Sequence, residues 1–396
     1  MTLSRRKFVQ TAGIGAGAAL TGSIWGRGRE NSIWSAIEPD LQAVERGVIC
    51  IASNENPVGP GKAVLDTLRT LLEGGTRPGR YSNQAGQLTE AIAAHFKVKT
   101  DNVLVSEGST EILRAATQVY TSKTKALVGT IPTYEECAGY AELLGHPVKG
   151  VSLDSAFKLD PEKMIAAAKG AGLIFYCNPN NPVATYVGAK ATRAFLSKLH
   201  STSPETTVLV DEAYFDYVTD PDHETHIPIA VENPRVIVAR TFSKAYGMAG
   251  LRQGYAIAHA DTIKALRPWV AAGGTGSLNV FGMAAATAAI SQDADGAFTK
   301  NERNRNKAVR DMTTKWFADR GMKATDCQAN FMFVDIGTPA KAFREACRAK
   351  GVMVARDFPP FEKTHARITL GTMEEMTKAV QVFGEVLNKK TTSAAA

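Results

Sequence analysis

The chain has 396 residues, 44% of them hydrophobic and 21% charged, ordinary globular proportions with enough material for a large core and two domains. Of the formal net charge of +7, residues 1–30 carry +4 through Arg5, Arg6, Lys7, Arg27 and Arg29 against Glu30. The remaining +3 gives no footprint for nucleic acid or an anionic membrane surface, and neither is expected as a partner.

Ser4-Arg5-Arg6-Lys7-Phe8-Val9-Gln10, followed by a weakly apolar Gly/Ala stretch to Ile24, resembles a twin-arginine export signal with a short apolar region behind its charged start. That stretch is too short and too rich in glycine for a membrane span. Residues 1–36 are therefore read as a leader, and the expected location is periplasmic, with the cytoplasm as the alternative. Gly13-Ile14-Gly15-Ala16-Gly17-Ala18 matches a dinucleotide fingerprint in letters only, since no apolar strand precedes it. The five cysteines, Cys50, Cys137, Cys177, Cys327 and Cys347, are scattered without a C-x-x-C pair, which argues against a disulfide framework and a zinc site.

Beyond the leader, short apolar runs alternate with helical patterns, the mark of an α/β fold with a mostly parallel, doubly wound sheet. Val103-Leu104-Val105, Ala126-Leu127-Val128, Leu173 to Tyr176, Val208-Leu209-Val210 and Val236-Ile237-Val238 read as buried strands. Each ends just before a polar segment, and ligands of open parallel sheets sit at the carboxyl ends of the strands, so the five endings should converge. The first leads into Glu107-Gly108-Ser109-Thr110 at a helix start, which suits a phosphate or merely a helix cap. Next comes Pro132-Thr133-Tyr134, where an aromatic ring on a proline-fixed turn could lie flat against a planar ligand. Asn178-Pro179-Asn180-Asn181-Pro182 follows as a tight loop aiming an amide at the cleft.

Asp211-Glu212-Ala213-Tyr214 then places a carboxylate at the exit of a buried strand. A buried carboxylate needs a cationic partner or its pKa rises, and the protonated nitrogen of a pyridine ring is such a partner. The deciding string is Arg240-Thr241-Phe242-Ser243-Lys244-Ala245-Tyr246-Gly247-Met248-Ala249-Gly250-Leu251-Arg252-Gln253-Gly254-Tyr255. Hydroxyls flank a lysine, a second cation follows, and glycines let backbone approach a bound ligand. By contrast Asp222-His223-Glu224-Thr225-His226, in a proline- and acid-rich loop, does not match a known zinc pattern and is read as solvated, so no metal is expected.

In order, Asn54-Glu55-Asn56-Pro57, Arg80-Tyr81, Glu107 to Ser109, Pro132 to Tyr134, Asn178 to Pro182, Asp211 to Tyr214, Thr241 to Tyr255 and Arg367 to Thr372 make the chain resemble the class I/II aminotransferases of fold type I. Within these it is most similar to the histidinol-phosphate aminotransferases, from Ile51 to Leu387. The resemblance implies pyridoxal 5′-phosphate, carried by Lys244 as a Schiff base, with the same lysine moving the substrate proton. Gly108, Ser109, Thr241, Ser243 and Arg252 would hold the phosphate, Tyr134 would stack on the ring, Asp211 would pair with the ring nitrogen, and Asn181 and Tyr214 would bind the ring oxygen. Arg367 would clamp the substrate α-carboxylate, a bidentate task suited to its planar fork, with Asn56 and Arg356 as further substrate contacts. Tyr81 would reach the phosphate across a dimer interface, so a homodimer is implied. The lysine must be partly neutral to act, and burial beside Arg252 would lower its pKa.

The sequence departs from the family pattern at Val183-Ala184, where Thr-Gly is usual, so a different local turn is expected. The expected architecture is a segment over 37–74, a large cofactor-binding domain over 75–285 and a smaller α/β domain over 290–390, with strands at Asn330 to Val334, at Val352 to Val354 and opening at Arg367. The substrates expected are an amino acid and a 2-oxo acid. An exported enzyme would be separated from phosphorylated biosynthetic intermediates, so an aromatic or other bulky free amino acid is the favoured donor. The alternatives are histidinol phosphate, or another fold type I reaction such as a lyase, decarboxylase or racemase.

Overall fold

The computed structural model describes residues 47–73, 81, 83–274 and 278–387; the leader, Arg80 and the C-terminal tail lie outside them. In chain order the main elements are β1 (Ile49–Ile51), α1 (Lys62–Glu73), α2 (Gln84–Phe96), β2 (Val103–Ser106), α3 (Gly108–Tyr120), β3 (Ala126–Ile131), α4 (Glu136–Leu143), β4 (Val148–Ser152), α5 (Pro161–Ala168), β5 (Ala171–Cys177), α6 (Ala189–Thr202), β6 (Thr207–Asp211), α7 (Ile227–Glu232), β7 (Val236–Thr241), β8 (Gly254–Ala258) and α8 (Ala260–Leu266). After these come α9 (Val280–Gln292), α10 (Ala297–Ala318), β9 (Lys323–Ala324), β10 (Phe331–Asp335), α11 (Ala340–Arg348), β11 (Val352–Val354), β12 (His365–Thr369) and α12 (Met373–Leu387).

Seven strands form one sheet in the order β2-β8-β7-β6-β5-β3-β4, parallel except for β8, which runs antiparallel to both neighbours. The five strands expected from sequence are all present. Two were not foreseen. In β4, half-exposed at the sheet edge, the sequence Val-Lys-Gly-Val-Ser lacks a continuous apolar run, and β8 is a short Gly-Tyr-Ala-Ile-Ala segment directly behind the lysine string.

Side chains alternate across the strands and both faces are buried, as a doubly wound sheet requires. Val103, Val105, Ile174, Tyr176, Val208, Val210, Val236 and Val238 pack to one side with residues of α2, α6 and α9. Leu104, Leu173, Phe175, Leu209, Ile237 and Ala239 pack to the other with α3 and α8. A second core surrounds the antiparallel sheet β12-β10-β9 and the parallel pair β1-β11, and is filled by Phe317, Phe331, Ile368, Phe383 and their neighbours. Tyr214 and Ala184, from loops at the carboxyl ends of the large sheet, are buried in this second core. Arg367 does not open its strand as expected but is the third residue of β12, opposite Phe333. The pleat thereby sets the direction of its side chain.

Ala184 adopts φ 61°, the left-handed conformation that glycine normally supplies. Its N–H donates to the Asn180 carbonyl at 2.7 Å, and Asn180 N–H donates to Thr185 O at 2.9 Å. The turn that Val183-Ala184 was expected to alter is thus closed by backbone hydrogen bonds. Among the described residues, no helix is long and apolar enough to cross a membrane.

Candidate active site

The loop after β7 carries Lys244 and is shaped by its own backbone. Phe242 N–H donates to Gln253 O, Met248 N–H to Phe242 O, and Gly247 N–H to Lys244 O, at 2.9 to 3.1 Å. Gly247 has φ +67°, and a Cβ there would lie 2.2 Å from Gly59 O, so only glycine lets the loop pass the N-terminal segment. Within the loop Thr241 Oγ1 donates to Ser243 Oγ at 2.9 Å and accepts from Ser243 N–H at 3.1 Å, and Arg252 Nη1 donates to Ser243 Oγ at 3.4 Å and Ala249 O at 2.9 Å.

This cluster meets the start of α3. Gly108 begins that helix with φ +71°, and a Cβ on it would lie 2.4 Å from Arg252 Nη2. A Cβ on Gly254 would lie 2.4 Å from Ser109 N. Two glycines therefore bring a helix N-terminus, Ser109, two hydroxyls and a guanidinium together, and this donor set could hold a phosphate. Tyr134 stands beside it, its hydroxyl pushed up to about 12 by burial, with Thr110 opposing as a hydrogen-bond partner.

Asp211 ends β6 and is buried. Its Oδ1 accepts from Ala213 N–H at 3.1 Å, and the Cys177 thiol faces its Oδ2 at 3.9 Å. Burial raises its pKa to about 7, against the pull of the Ala213 N–H and the charge of Lys244. Lys244 Nζ donates to Ser53 O at 3.2 Å and lies 5.6 Å from the centre of the Tyr214 ring. Burial first and Arg367 second lower its pKa to about 8; Arg252, the cation expected from sequence, contributes less.

Arg367 reaches the same space from β12. Its Nη1 donates to Asn181 Oδ1 at 2.8 Å and its Nη2 to Ala52 O at 2.7 Å, while its buried Nε has no partner among the described residues. Burial lowers its pKa to about 10. Tyr214 hydroxyl accepts from Asn54 Nδ2 at 3.1 Å. Asn56 is engaged on both amide atoms, donating to Ala245 O at 2.9 Å and accepting from Val58 N–H at 3.0 Å, so it braces the residue next to Lys244. Arg356 pairs with Glu135 at 2.6 Å, and both Arg356 and Arg367 lie over the Phe358 ring, 4.4 and 4.6 Å from its centre. Tyr81 is 97% exposed.

Several contributors were not foreseen. Directly behind Asp211, Glu212 accepts from Arg240 Nε and Nη2 at 3.0 and 2.8 Å, from Thr225 Oγ1 at 2.8 Å, and from His226 N–H at 2.9 Å, with His226 Nδ1 at 3.0 Å. Burial alone would raise Glu212, but Arg240 and His226 hold it down at about 2. The signal lay in the adjacency of Asp211 to Glu212 and in Arg240 opening the lysine string. The Asp222 to His226 loop disperses its polar groups. Asp222 accepts from Lys190 N–H, His223 Nε2 meets Phe215 O, Glu224 pairs with Arg193, and His226 turns to Glu212.

The chain matches the family described as aminotransferase class I and II over residues 46–383. The protein is a class I and II aminotransferase. It is 33% identical over 349 residues to a histidinol-phosphate aminotransferase of Moorella thermoacetica, covering 86% of each chain, and 32% identical over 347 residues to one of Bacillus velezensis, covering 86% of this chain and 92% of that one. Among solved structures, the putative histidinol-phosphate aminotransferase of Erwinia carotovora atroseptica superposes with a TM-score of 0.78 at 30% identity, covering 85% of this chain and 95% of that one. The Sinorhizobium meliloti enzyme in complex with pyridoxal 5′-phosphate gives 0.78 at 25% identity, over 86% of this chain and 91% of that one.

The cofactor of this aminotransferase is pyridoxal 5′-phosphate, and the residues fit it. There is a donor cradle that suits a phosphate, a buried carboxylate with no cationic hydrogen-bond partner among the described residues, and a lysine of lowered pKa. The shift at Asp211 has a consequence for the protein stripped of cofactor. Its folded pKa, about 7, lies above the ordinary 3.8, so its contribution to stability is fully present below 3.8 and is lost as pH rises through 7. Asp211→Asn, which cannot ionise, should match wild type near pH 4 and become steadily more stable than wild type up to and past pH 7, by on the order of 4 kcal/mol when ionisation is complete. Urea unfolding across that range checks this; a difference that stays flat would contradict the burial of an ionising carboxylate.

Proposed function

We propose that this aminotransferase takes its amino group from histidinol phosphate and exchanges it with a 2-oxo acid. The observation that carries this reading is the Arg356–Arg367 pair over Phe358, because two guanidiniums in one place match a dianionic phosphate better than a single carboxylate. The names of the relatives reported above support the same donor. It replaces the free aromatic amino acid favoured from sequence.

When bound, the cofactor supplies an electron sink for the pair released when the substrate Cα–H bond breaks. Asp211, which burial has left short of a counter-charge, keeps the proton on the ring nitrogen. Lys244, with a pKa of about 8, has a sizeable neutral fraction near neutral pH, so its Nζ can take the Cα proton and return it. Gly108, Ser109, Thr241, Ser243 and Arg252 would hold the phosphate, Tyr134 would cover the ring, and Asn181 and Tyr214 would bind its oxygen. Arg367 meets the carboxylate of the acid partner, and Arg356 adds the second charge that a phosphate needs. We extend the reading to a homodimer, in which the exposed Tyr81 serves the partner's site.

The leader favours a second reading. If Ser4-Arg5-Arg6-Lys7-Phe8 directs export, the donor is a bulky free amino acid, because the enzyme is parted from phosphorylated intermediates.

Lys244→Ala should abolish turnover and the visible absorbance of bound cofactor; a borohydride-reducible adduct on another lysine would refute the assignment. For the donor, kcat/KM should be compared for histidinol phosphate and free aromatic amino acids in wild type and Arg356→Ala. A wild-type preference of about a hundredfold for histidinol phosphate (roughly 2.7 kcal/mol), lost in the variant, is expected, whereas a preference for the free amino acid would favour the second reading. Fused to a reporter that folds before transport, residues 1–36 should direct export that Arg5→Lys with Arg6→Lys blocks; a reporter that neither sequence exports would place the enzyme in the cytoplasm.

A further inference from the structure

Two Glu–Arg pairs flank the site, and they differ in kind. The Glu212–Arg240 pair is sealed, its side chains 1% and 7% exposed, and every carboxylate lone-pair direction is used. The Glu135–Arg356 pair is open, with side chains 26% and 28% exposed and a single 2.6 Å contact. A pair open to water gains little net stability and exchanges readily with ions from solution.

Glu135 follows the ring-covering Tyr134 and stands at the N-cap position of α4, yet its side chain makes no capping hydrogen bond. Its neighbour Glu136 is occupied by Arg114 at 2.5 Å. The Glu135 carboxylate is thus committed to Arg356, which shares the Phe358 ring with Arg367 and adds to the positive charge around it.

We propose that Glu135 is a resident counter-ion on Arg356, a carboxylate that an anionic substrate group must displace and that therefore sets the affinity threshold at that position. The assignment rests on the reading of Arg356 as the contact for that group. A monocarboxylate offered in exchange for Glu135 gains Arg356 little, since like replaces like. A phosphate dianion brings more charge and more acceptor oxygens than it displaces. Glu135 thereby imposes one displacement cost on every incoming anion, which the contacts of a dianion offset and those of a monocarboxylate do not.

Inorganic phosphate is the probe, used as a dead-end inhibitor of the holoenzyme with whichever amino donor turns over. Glu135→Gln should lower its inhibition constant three- to tenfold, and should tighten acetate by a similar factor. Arg356→Ala should raise the constant, and in the Arg356→Ala background Glu135→Gln should add nothing, since one site carries both effects. Unchanged or weaker phosphate binding in Glu135→Gln would overturn the proposal, because a carboxylate that merely braces Arg356 gives that sign. A Glu135→Gln gain that persists without Arg356 would overturn it as well. If histidinol phosphate fails as donor while the phosphate series behaves as stated, the substrate reading falls and the role of Glu135 stands.

Discussion

The active site hangs on one ion pair that never meets a ligand. Glu212 follows Asp211 at the end of β6, and Arg240 lies near the end of β7, four residues before Lys244. Their two hydrogen bonds, reinforced by Thr225 and His226, fix the strand ends that carry the carboxylate and the lysine. Removing one partner of such a pair strands a buried charge and costs about 3–5 kcal/mol. That penalty makes the spacing of Asp211 and Lys244 a property of the sheet rather than of the loops.

With the frame fixed, burial sets the chemistry. The same desolvation moves Asp211 up to about 7 and Lys244 down to about 8, so the acid and the base approach each other and both approach neutrality. Burial is the largest cause of both shifts; it leaves the lysine a neutral fraction near physiological pH and the carboxylate in want of a cationic partner. Arg367 strengthens the effect on the lysine while tying Asn181, from the loop after β5, to Ala52 of the N-terminal segment. One residue of β12 thus holds the walls of the cleft and tunes the group between them.

Much of this was legible in the order of residues. Five of the six parallel strands were visible because they are continuous apolar runs, and their endings converge because a parallel sheet presents all its carboxyl ends on one edge. Phosphate cradle, carboxylate and lysine followed from motifs at those endings. What the sequence hid depends on tertiary neighbours. Nothing local marks β8 as the strand that turns antiparallel between β2 and β7, or shows that the cation weighing most on Lys244 is Arg367 and not Arg252, which lies nearer in the chain. The commitment of Asn56 to Ala245 and the pairing of Glu135 with Arg356 across 221 positions are likewise invisible to spacing. Residues 1–36, which bear the export reading, lie outside the described residues.

Ala184 combines two opposed terms at one Cα. Its left-handed backbone costs a residue with a Cβ roughly 1–2 kcal/mol, while its methyl is fully buried in the second core and a buried methyl contributes about 0.8 kcal/mol. Exchange to glycine would relieve the first and forfeit the second, leaving a difference within thermal reach of zero. The position is therefore a nearly neutral hinge in sequence space, where a lineage can drift between the two smallest side chains without disturbing the asparagine loop whose turn it closes.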